Sequence, residues 1–296
     1  MSVVEVAGGI YARVAKGDEI YDGWGANQGF IVAEKGVVVI DSGFTRGAAL
    51  SLLREIRKRT RLPVRVVINT HDHSDHVFGN SVFESSGALI LGHSVCWSRM
   101  EELGETRMRG YRSYDARLRK GMNGLRVTPP SVSYSESARL NILGREVELI
   151  HPPAAHTRGD TMILLPKEKV LFAGDVVWEA YHPNLEDGDV HGWIDALRTV
   201  ERMEVADVVP GHGRPTDRSS ATRLSDYIAW FDAKMKDLAA RKATSEEAAE
   251  ELRVPGSERW GLKMIIKRNV DMLFPGYKQK FGARSWTGRT RVISRT

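Results

Sequence analysis

The sequence predicts an α/β protein with a helical C-terminal extension. Short β-branched runs alternate with amphipathic segments up to about residue 217, a pattern typical of helices packed outside sheets. Clusters of His and Asp directly follow several of these runs. Beyond residue 216 the strand pattern stops and three helical segments follow. A chain of 296 residues is long enough for one large body with such an extension.

The composition excludes several classes of protein. With 42% hydrophobic and 27% charged residues, the chain has the balance of an ordinary globular protein and not of a disordered or collagen-like one. Its single cysteine, Cys96, excludes an intrachain disulfide and a multi-thiolate metal site. No apolar run approaches the roughly 20 residues that span a bilayer, and the N-terminus lacks the pattern of a secretory signal. We therefore expect a cytoplasmic protein without a membrane partner.

The first part of the chain is predicted to form six short strands, at residues 3–6, 10–14, 30–33, 37–40, 64–68 and 88–91. Glu34, Lys35 and Gly36 separate two of these strands and indicate a hairpin. A helix at about 46–59 has Ala49 and Ile56 on one face, and Pro63 prevents its continuation.

Residues 93–136 differ from their surroundings and are predicted to be a partly helical insertion. Helical spacing is seen for Met100, Leu103 and Met108. The stretch from Arg99 to Arg126 contains eight basic and four acidic residues. Strands are predicted to resume at 140–143, 146–150, 162–165, 170–173 and 205–209, with a helix at 190–200 before the last of them.

Three helices are predicted for the extension. The first covers 224–240, Thr244 and Glu247 form a capping box for the second, and Ser257 caps a third that Pro275 stops. The domains are accordingly 1–217, 218–281 and a basic tail at 282–296. The positive net charge comes from the end of the chain, because it is +5 overall but −1 over residues 1–275. We expect this tail to be solvated, and we do not expect a nucleic-acid partner.

The strongest chemical signal is the segment from Thr70 to His76, which reads THDHSDH and follows a buried strand. Imidazoles and carboxylates are good ligands for zinc, iron and manganese. In an extended turn, side chains two residues apart point the same way, so His71 and His73 can share one ion. Asp75 and His76 lie further along, near a helix predicted to begin at residue 77, and can serve a second ion.

Three further candidate ligands lie in Gly- or Pro-rich turns where predicted strands end: His156, Asp175 and His212. Strand ends at one edge of a sheet converge on one crevice. Together with the first segment, they make a set large enough for two ions.

The order of these motifs resembles the metallo-β-lactamase superfamily over about residues 3–217. The family's pattern is matched by His71, His73, Asp75, His76, His156, Asp175 and His212, and its upstream Asp by Asp41. The resemblance implies an αββα sandwich of two mixed β-sheets flanked by helices. It also implies that His71, His73 and His156 bind one ion, that Asp75, His76 and His212 bind another, and that Asp175 bridges them, with Asp41 supporting the ligands.

The resemblance implies a dinuclear metal-dependent hydrolase that uses a metal-bridging hydroxide. Asp175 and Asp75 are then catalytic as well as metal ligands, with Asp75 a candidate for protonating the leaving group. An Asp at position 175, where true β-lactamases have Cys or Ser, is more similar to thioesterases, lactonases and phosphodiesterases. We expect two zinc ions, with iron or manganese as alternatives, and a small ester, lactone or thioester as substrate. Phosphodiester or β-lactam cleavage would be a side activity.

Two other enzyme classes stay open. Persulfide dioxygenases have a similar pattern with one iron, and ribonuclease Z-like nucleases would account for the basic tail. Trp178, Tyr181 and His182 are candidates for the pocket wall, with His93 and His191 further candidates. The third helix presents Lys263, Lys267 and Arg268, which suit either a substrate contact or, as we favour, a solvent-facing surface. The expected partner is a small-molecule substrate, and a homodimer is the commonest kind of oligomer.

Overall fold

The computed structural model describes residues 2–15 and 17–282. They form two β-sheets packed face to face between layers of helices, which is the αββα sandwich that the resemblance predicted. Apart from Gly282, the predicted basic tail lies outside the described residues. Within the described part of the chain, no helix has both the length and the hydropathy needed to cross a bilayer.

The first sheet has seven strands in sequence order, β1 (Ser2–Ala7), β2 (Ile10–Val14), β3 (Gln28–Ala33), β4 (Gly36–Ile40), β5 (Val64–Ile68), β6 (Leu89–His93) and β7 (Val132–Tyr134). Strands β1 to β4 are antiparallel, and the predicted hairpin is present, with Ala33 paired to Gly36. Strands β4 to β7 are parallel, so their carboxyl ends share one edge of the sheet.

The second sheet contains β8 (Ala138–Ile142), β9 (Arg145–Ile150), β10 (Met162–Leu165), β11 (Val170–Trp178) and β12 (Asp207–His212). Its spatial order is β12, β11, β10, β9, β8. Only the β11–β12 pair is parallel. Strand β11 is buried along its whole length and runs five residues beyond the predicted end at residue 173.

The helices are α1 (Arg46–Arg57), α2 (Ser74–Val77), α3 (Asn80–Glu84), α4 (Ser94–Tyr114), α5 (Ala116–Gly121), α6 (Val190–Arg202), α7 (Ser219–Ala240), α8 (Ser245–Glu251) and α9 (Met264–Phe281). Helices α4 and α5 form the helical part of the predicted insertion. The predicted capping box is confirmed, since Thr244 and Glu247 exchange both hydrogen bonds at the start of α8.

The inner faces of the two sheets form one continuous apolar core. Ile31 and Ile40 of the first sheet are packed with Leu149, Ile163 and Phe172 of the second, and all are at most 2% exposed. Each such side chain contributes about 1.5–3 kcal/mol when removed from water. Gly29 is required here, because a Cβ at that position would lie 2.3 Å from the Phe172 ring.

The outer faces of the sheets are covered by different helices. Helix α1 packs Leu52 and Ile56 onto the first sheet. Helices α6 and α7 cover the second sheet, and α9 packs on α7, in one large cluster that includes Trp193, Phe231 and Phe274. The extension therefore shares an apolar layer with the α/β body.

The prediction for the third helix of the extension was wrong at both ends. Ser257 does not cap a helix but donates a hydrogen bond to Val254 O, and α9 begins at Met264. Pro275 lies inside α9 and does not stop it. A proline in a helix costs about 3 kcal/mol, yet Phe274 is completely buried and Tyr277 donates a 2.6 Å hydrogen bond to Asp232 of α7. These contacts with α7 and the shared apolar layer outweigh the local preference.

Candidate metal centre

The THDHSDH segment leaves the carboxyl end of β5 and turns into α2. His71 and His73 lie in the connecting loop. Helix α2 begins at Ser74, not at residue 77 as predicted, so Asp75 and His76 lie in its single turn. This turn brings His76 back under the loop, where its backbone N–H donates to His73 O at 3.0 Å.

The other predicted ligands come from the second sheet. Asp175 lies inside β11, His212 ends the neighbouring parallel strand β12, and His156 lies in the loop after β9. The prediction of a single sheet edge was wrong in this respect, because both sheets contribute. The close approach of β11 and β12 requires Gly211, since a Cβ there would lie 1.9 Å from Asp175 Oδ1.

Four of the predicted ligands form a first group in which the candidate donor atoms lie within 4.8 Å of one another: His71, His73, His156 and Asp175. His156 Nε2 lies 2.9 Å from His73 Nδ1 and 3.2 Å from Asp175 Oδ2. His71 Nε2 lies 3.7 Å from the same carboxylate oxygen. Such separations suit atoms that share an ion at about 2 Å from each of them.

Asp75, His76 and His212 form the second group. Asp75 Oδ2 lies 3.6 Å from His76 Nε2 and 3.5 Å from His212 Nε2. Asp175 reaches this group as well, with Oδ1 3.2 Å from His76 Nε2 and Oδ2 3.4 Å from His212 Nε2. The structure thus brings all seven predicted residues together and places Asp175 between the two groups.

Asp41 orients the imidazoles of His71 and His76 from the side away from the interior of the cluster. Its Oδ2 accepts hydrogen bonds from His76 Nδ1 and Thr70 Oγ1, both at 2.8 Å, and Thr70 Oγ1 lies 3.0 Å from His71 Nδ1. With Nδ1 donating outward, His71 and His76 each present the Nε2 lone pair inward. Asp41 has a left-handed backbone, with φ of 56°.

Backbone carbonyls hold two more imidazoles in the same way. His156 Nδ1 donates to Asn184 O at 3.1 Å, and His212 Nδ1 donates to Trp24 O at 2.9 Å. The indole of Trp178 stacks on His212 with ring centroids 3.9 Å apart. Both rings therefore offer Nε2 to the interior of the site.

Several inward-facing polar atoms have no partner among the described residues, namely His71 Nε2, His76 Nε2, His212 Nε2 and Asp175 Oδ1. Leaving buried polar atoms unpaired costs free energy, so native proteins rarely do it. All four atoms face one another in the interior of the site, and each has a lone pair to offer. The residues therefore fit divalent metal ions, which would satisfy all of these atoms at once.

The electrostatics agree with that fit at His71, His156 and Asp175, whereas at His73 and His76 burial is outweighed by nearby carboxylates, which raise the pKa of both imidazoles. Burial lowers the pKa of His156 to about 3 and lowers the pKa of His71 well below its usual range. Burial opposes ionisation of Asp175, but the surrounding imidazoles, His212 first, hold the pKa of its carboxyl well below its usual value. Neutral imidazoles and an ionised carboxylate are the states in which these groups bind metal.

A cavity of about 470 Å³ opens over the cluster. Its floor includes His73, Asp75, His156, Asp175 and His212, and Trp24 and Trp178 form part of the wall. The outer wall comes from two helical regions, the insertion with Leu103 and Tyr111, and the start of α9 with Leu262, Met264 and Ile265. The cavity thus combines a polar floor with an outer wall in which apolar side chains lie beside charged ones.

Three arginines at the cavity are each paired with a carboxylate. Arg99 and Arg107 bind the buried Asp72 at 3.1 and 2.8 Å, and Arg268 Nη2 lies 2.6 Å from Glu186. Although the insertion has an excess of basic residues, Arg99 and Arg107 therefore do not present an unpaired positive charge to the cavity. Pairing also fixes α4 over the site, because Asp72 lies within the ligand-bearing loop.

The remaining candidates have different places. Trp178 lines the cavity, whereas His182 is buried beneath the extension and lies 2.9 Å from Tyr227 OH. Tyr181 pairs with Gly261, and its ring centroid is 6.3 Å from that of His212. His191 is exposed on α6, and His93 stacks on His151.

Cys96, Lys263 and Lys267 are not among the residues that line the cavity. Cys96 is buried, and burial raises the pKa of its thiol. Lys263 and Lys267 are exposed, as the solvent-facing interpretation predicts, whereas Arg268 is exposed but also lines the cavity.

Sequence reasoning missed Asn184, Asp187 and the pairing of Arg99 and Arg107 with Asp72. These contacts join segments 27 to 114 residues apart, and neither spacing nor residue type shows such pairings. The only available signal was the excess of arginine in the insertion together with an acidic residue inside the ligand segment.

The family model of the metallo-β-lactamase superfamily matches residues 21–212. This match covers more than half of the chain, and the chain belongs to that superfamily. The matched range contains every candidate ligand and ends at His212.

The names of two curated relatives refer to different reactions. The chain is 30% identical over 185 residues to the 2,4-dinitroanisole O-demethylase subunit alpha of Nocardioides sp. (strain JS1661), which covers 62% of this chain and 51% of that protein. It is 22% identical over 292 residues to a linear primary-alkylsulfatase of Pseudomonas sp. (strain ATCC 19151), covering 83% of this chain and 54% of that protein. The chain thus spans about half the length of these two relatives.

Two further similarities are to metallo-β-lactamases. One is to the type 2 enzyme of Elizabethkingia meningoseptica, with 23% identity over 218 residues, 72% of this chain and 79% of that protein. The other is to the solved structure of a metallo-β-lactamase from Pontibacter korlensis, with a TM-score of 0.64 and 20% identity, covering 77% of this chain and 98% of that one. At this identity the structural likeness bears on the fold alone.

Proposed function

We propose that this protein is a dinuclear metal-dependent hydrolase that cleaves a small ester, lactone or thioester. The observation that carries the proposal is the position of Asp175, whose carboxylate oxygens lie 3.2–3.7 Å from the Nε2 atoms of four imidazoles. A carboxylate so placed can be shared by two ions. We propose zinc for both, since His and Asp ligands suit it well.

Bound ions would supply a nucleophile at neutral pH by lowering the pKa of water, and would polarise the substrate oxygen. The chain's own residues orient the reaction. Asp41 and the Trp24 carbonyl hold His76 and His212 in the required tautomers. Asp75 lines the cavity, where its carboxylate could accept the proton released by the attacking water and pass it to the leaving group.

The cavity supports a substrate with an apolar arm. Leu103, Leu262 and Ile265 line its outer wall, and the arginines nearby are paired with carboxylates. A neutral ester or thioester with an alkyl or aryl group would bury that group against these side chains. We therefore expect the affinity to rise with the length of the apolar arm, by up to about 0.8 kcal/mol per buried methylene.

A sulfate ester of an alkyl chain is a second candidate substrate. It is favoured by the similarity to a linear primary-alkylsulfatase over 83% of this chain, together with the apolar side chains of the outer wall. It would use the same floor residues, so it differs in substrate and not in the site.

The test is a substrate panel assayed with the zinc-loaded protein and with the Asp175→Ala variant. The panel contains carboxylic esters of increasing chain length, lactones, thioesters, a phosphodiester, a β-lactam and alkyl sulfates. We expect turnover of at least one ester class, dependent on Asp175. Equal turnover by the variant, or oxygen consumption with persulfide by an iron-loaded sample in place of hydrolysis, would overturn the proposal.

A further inference from the structure

Asp187, in the loop between β11 and α6, contacts a candidate ligand from outside the site. Its Oδ2 lies 2.9 Å from His73 Nε2. The other ring nitrogen, His73 Nδ1, lies 2.9 Å from His156 Nε2 in the interior. A carboxylate only accepts hydrogen bonds, so Nε2 must carry the proton and Nδ1 the lone pair.

His73 is oriented differently from the other imidazoles of the cluster. The other four have hydrogen-bond partners at Nδ1 and present Nε2 inward. His73 instead has its outer partner at Nε2 and presents Nδ1 inward. It is also the least enclosed, with a side chain 15% exposed against at most 1% for the others. Packing therefore constrains its ring least, and an outer hydrogen bond has most to contribute there.

Two arginines of α4 hold the Asp187 carboxylate in place. Arg99 Nη2 lies 3.2 Å from Asp187 Oδ1, and Arg107 Nη2 lies 3.9 Å from Oδ2. The same arginines are anchored on Asp72. The hydrogen bond from His73 holds the pKa of the Asp187 carboxyl well below its usual value.

We propose that Asp187 is a positioning residue that fixes the tautomer and ring orientation of His73, so that Nδ1 faces the metal. Arg99 and Arg107 hold the Asp187 carboxylate in position against His73. Helix α4 of the insertion therefore helps to orient a metal ligand. The inference rests on the proposed function only in requiring that the cluster binds a metal. Asp187 itself acts through His73 and is not a ligand.

The variant that tests this role is Asp187→Asn. An amide can donate from its NH₂ group to His73 Nε2, which favours the tautomer with a proton on Nδ1 and blocks that ligand atom. We expect the affinity for zinc at one of the two sites to fall about 10- to 100-fold, as is typical for loss of such a supporting carboxylate. The measurement is competition with a chromophoric chelator, on protein first stripped of metal.

A second readout is the visible absorption of the Co²⁺-substituted protein, which reports the ligand geometry directly. We expect Asp187→Asn to change the cobalt bands and Asp187→Glu to restore them in part. The matched control is Glu186→Gln, which changes the neighbouring acid in the same loop without a contact to a ligand. It should keep both the zinc affinity and the cobalt spectrum.

The outcomes separate this inference from the proposed function. Wild-type affinity and an unchanged cobalt spectrum in Asp187→Asn would overturn the inference, as would an equal loss in Glu186→Gln. Failure of the wild-type protein to bind zinc or cobalt would instead overturn the proposed function.

Discussion

The cluster at the strand ends and the helical layer over the second sheet are equally buried, yet they use burial in opposite ways. In the helical layer, Trp193, Phe231 and Phe274 are fully buried, and the Trp193 indole N–H is satisfied by Val176 O at 2.9 Å. In the cluster, four buried polar atoms of three imidazoles and Asp175 have no partner among the described residues. The first region contributes to stability, and the second gives up stability for the capacity to bind.

The most severe test of this contrast removes the residue shared by both groups. Asp175→Ala should lower turnover by more than about a thousandfold, because both ions lose a common ligand. The far-UV circular dichroism spectrum should be unchanged, since the apolar layers are untouched. Turnover close to that of the wild type would show that the chemistry lies elsewhere.

Removal of metal should destabilise the protein through the cluster alone. With free zinc held at a hundred times each dissociation constant, two ions would contribute about 5 kcal/mol, or about 2.7 kcal/mol each. We expect chelation to lower the melting temperature accordingly, measured by calorimetry. Asp175→Ala is the control, and an equal shift in that variant would contradict a role for this cluster.

A change in the helical layer should have the converse effect. Phe231→Ala should reduce the free energy of unfolding by about 3–5 kcal/mol, because it leaves a cavity in a fully packed region. The metal content of the folded variant should match that of the wild type. Loss of metal in proportion to stability would mean that the two regions are not separable.

Much of the fold could be predicted from the sequence, because strand runs and helix periodicity are local. The candidate ligands could also be predicted, since all seven fall in four short motifs that follow predicted strands, and the order of these motifs resembles one family. Predictions failed where distant contacts override local preference. Pro275 is tolerated inside α9 because Tyr277 bonds to α7 and Phe274 is buried in the shared apolar layer, and Asp187 reaches His73 across 114 residues.

The smallest predicted effect is a pH dependence that arises in the helical layer, at His182. Burial lowers the pKa of His182 to about 4, below that of an exposed histidine at about 6.5. The unfolded chain therefore binds more protons between these values, and stability is present above pH 6.5 and lost as the pH falls towards 4. We expect this residue to account for a loss of about 2 kcal/mol between pH 7 and pH 5.

The comparison is between wild-type and His182→Gln protein, both free of metal, in urea titrations across that range. The imidazoles of the cluster contribute equally to both proteins, so the difference isolates His182. An identical pH dependence in the two proteins would show that His182 is not held neutral by burial.

We propose that two metal ions bind in the cluster of His71, His73, Asp75, His76, His156, Asp175 and His212. The most direct measurement is metal content per chain, by plasma mass spectrometry on untagged protein purified without added metal. We predict about two zinc ions per chain, and a clear loss of bound zinc in Asp175→Ala. About one iron per chain would contradict the dinuclear hydrolase, and no bound metal would contradict the site itself.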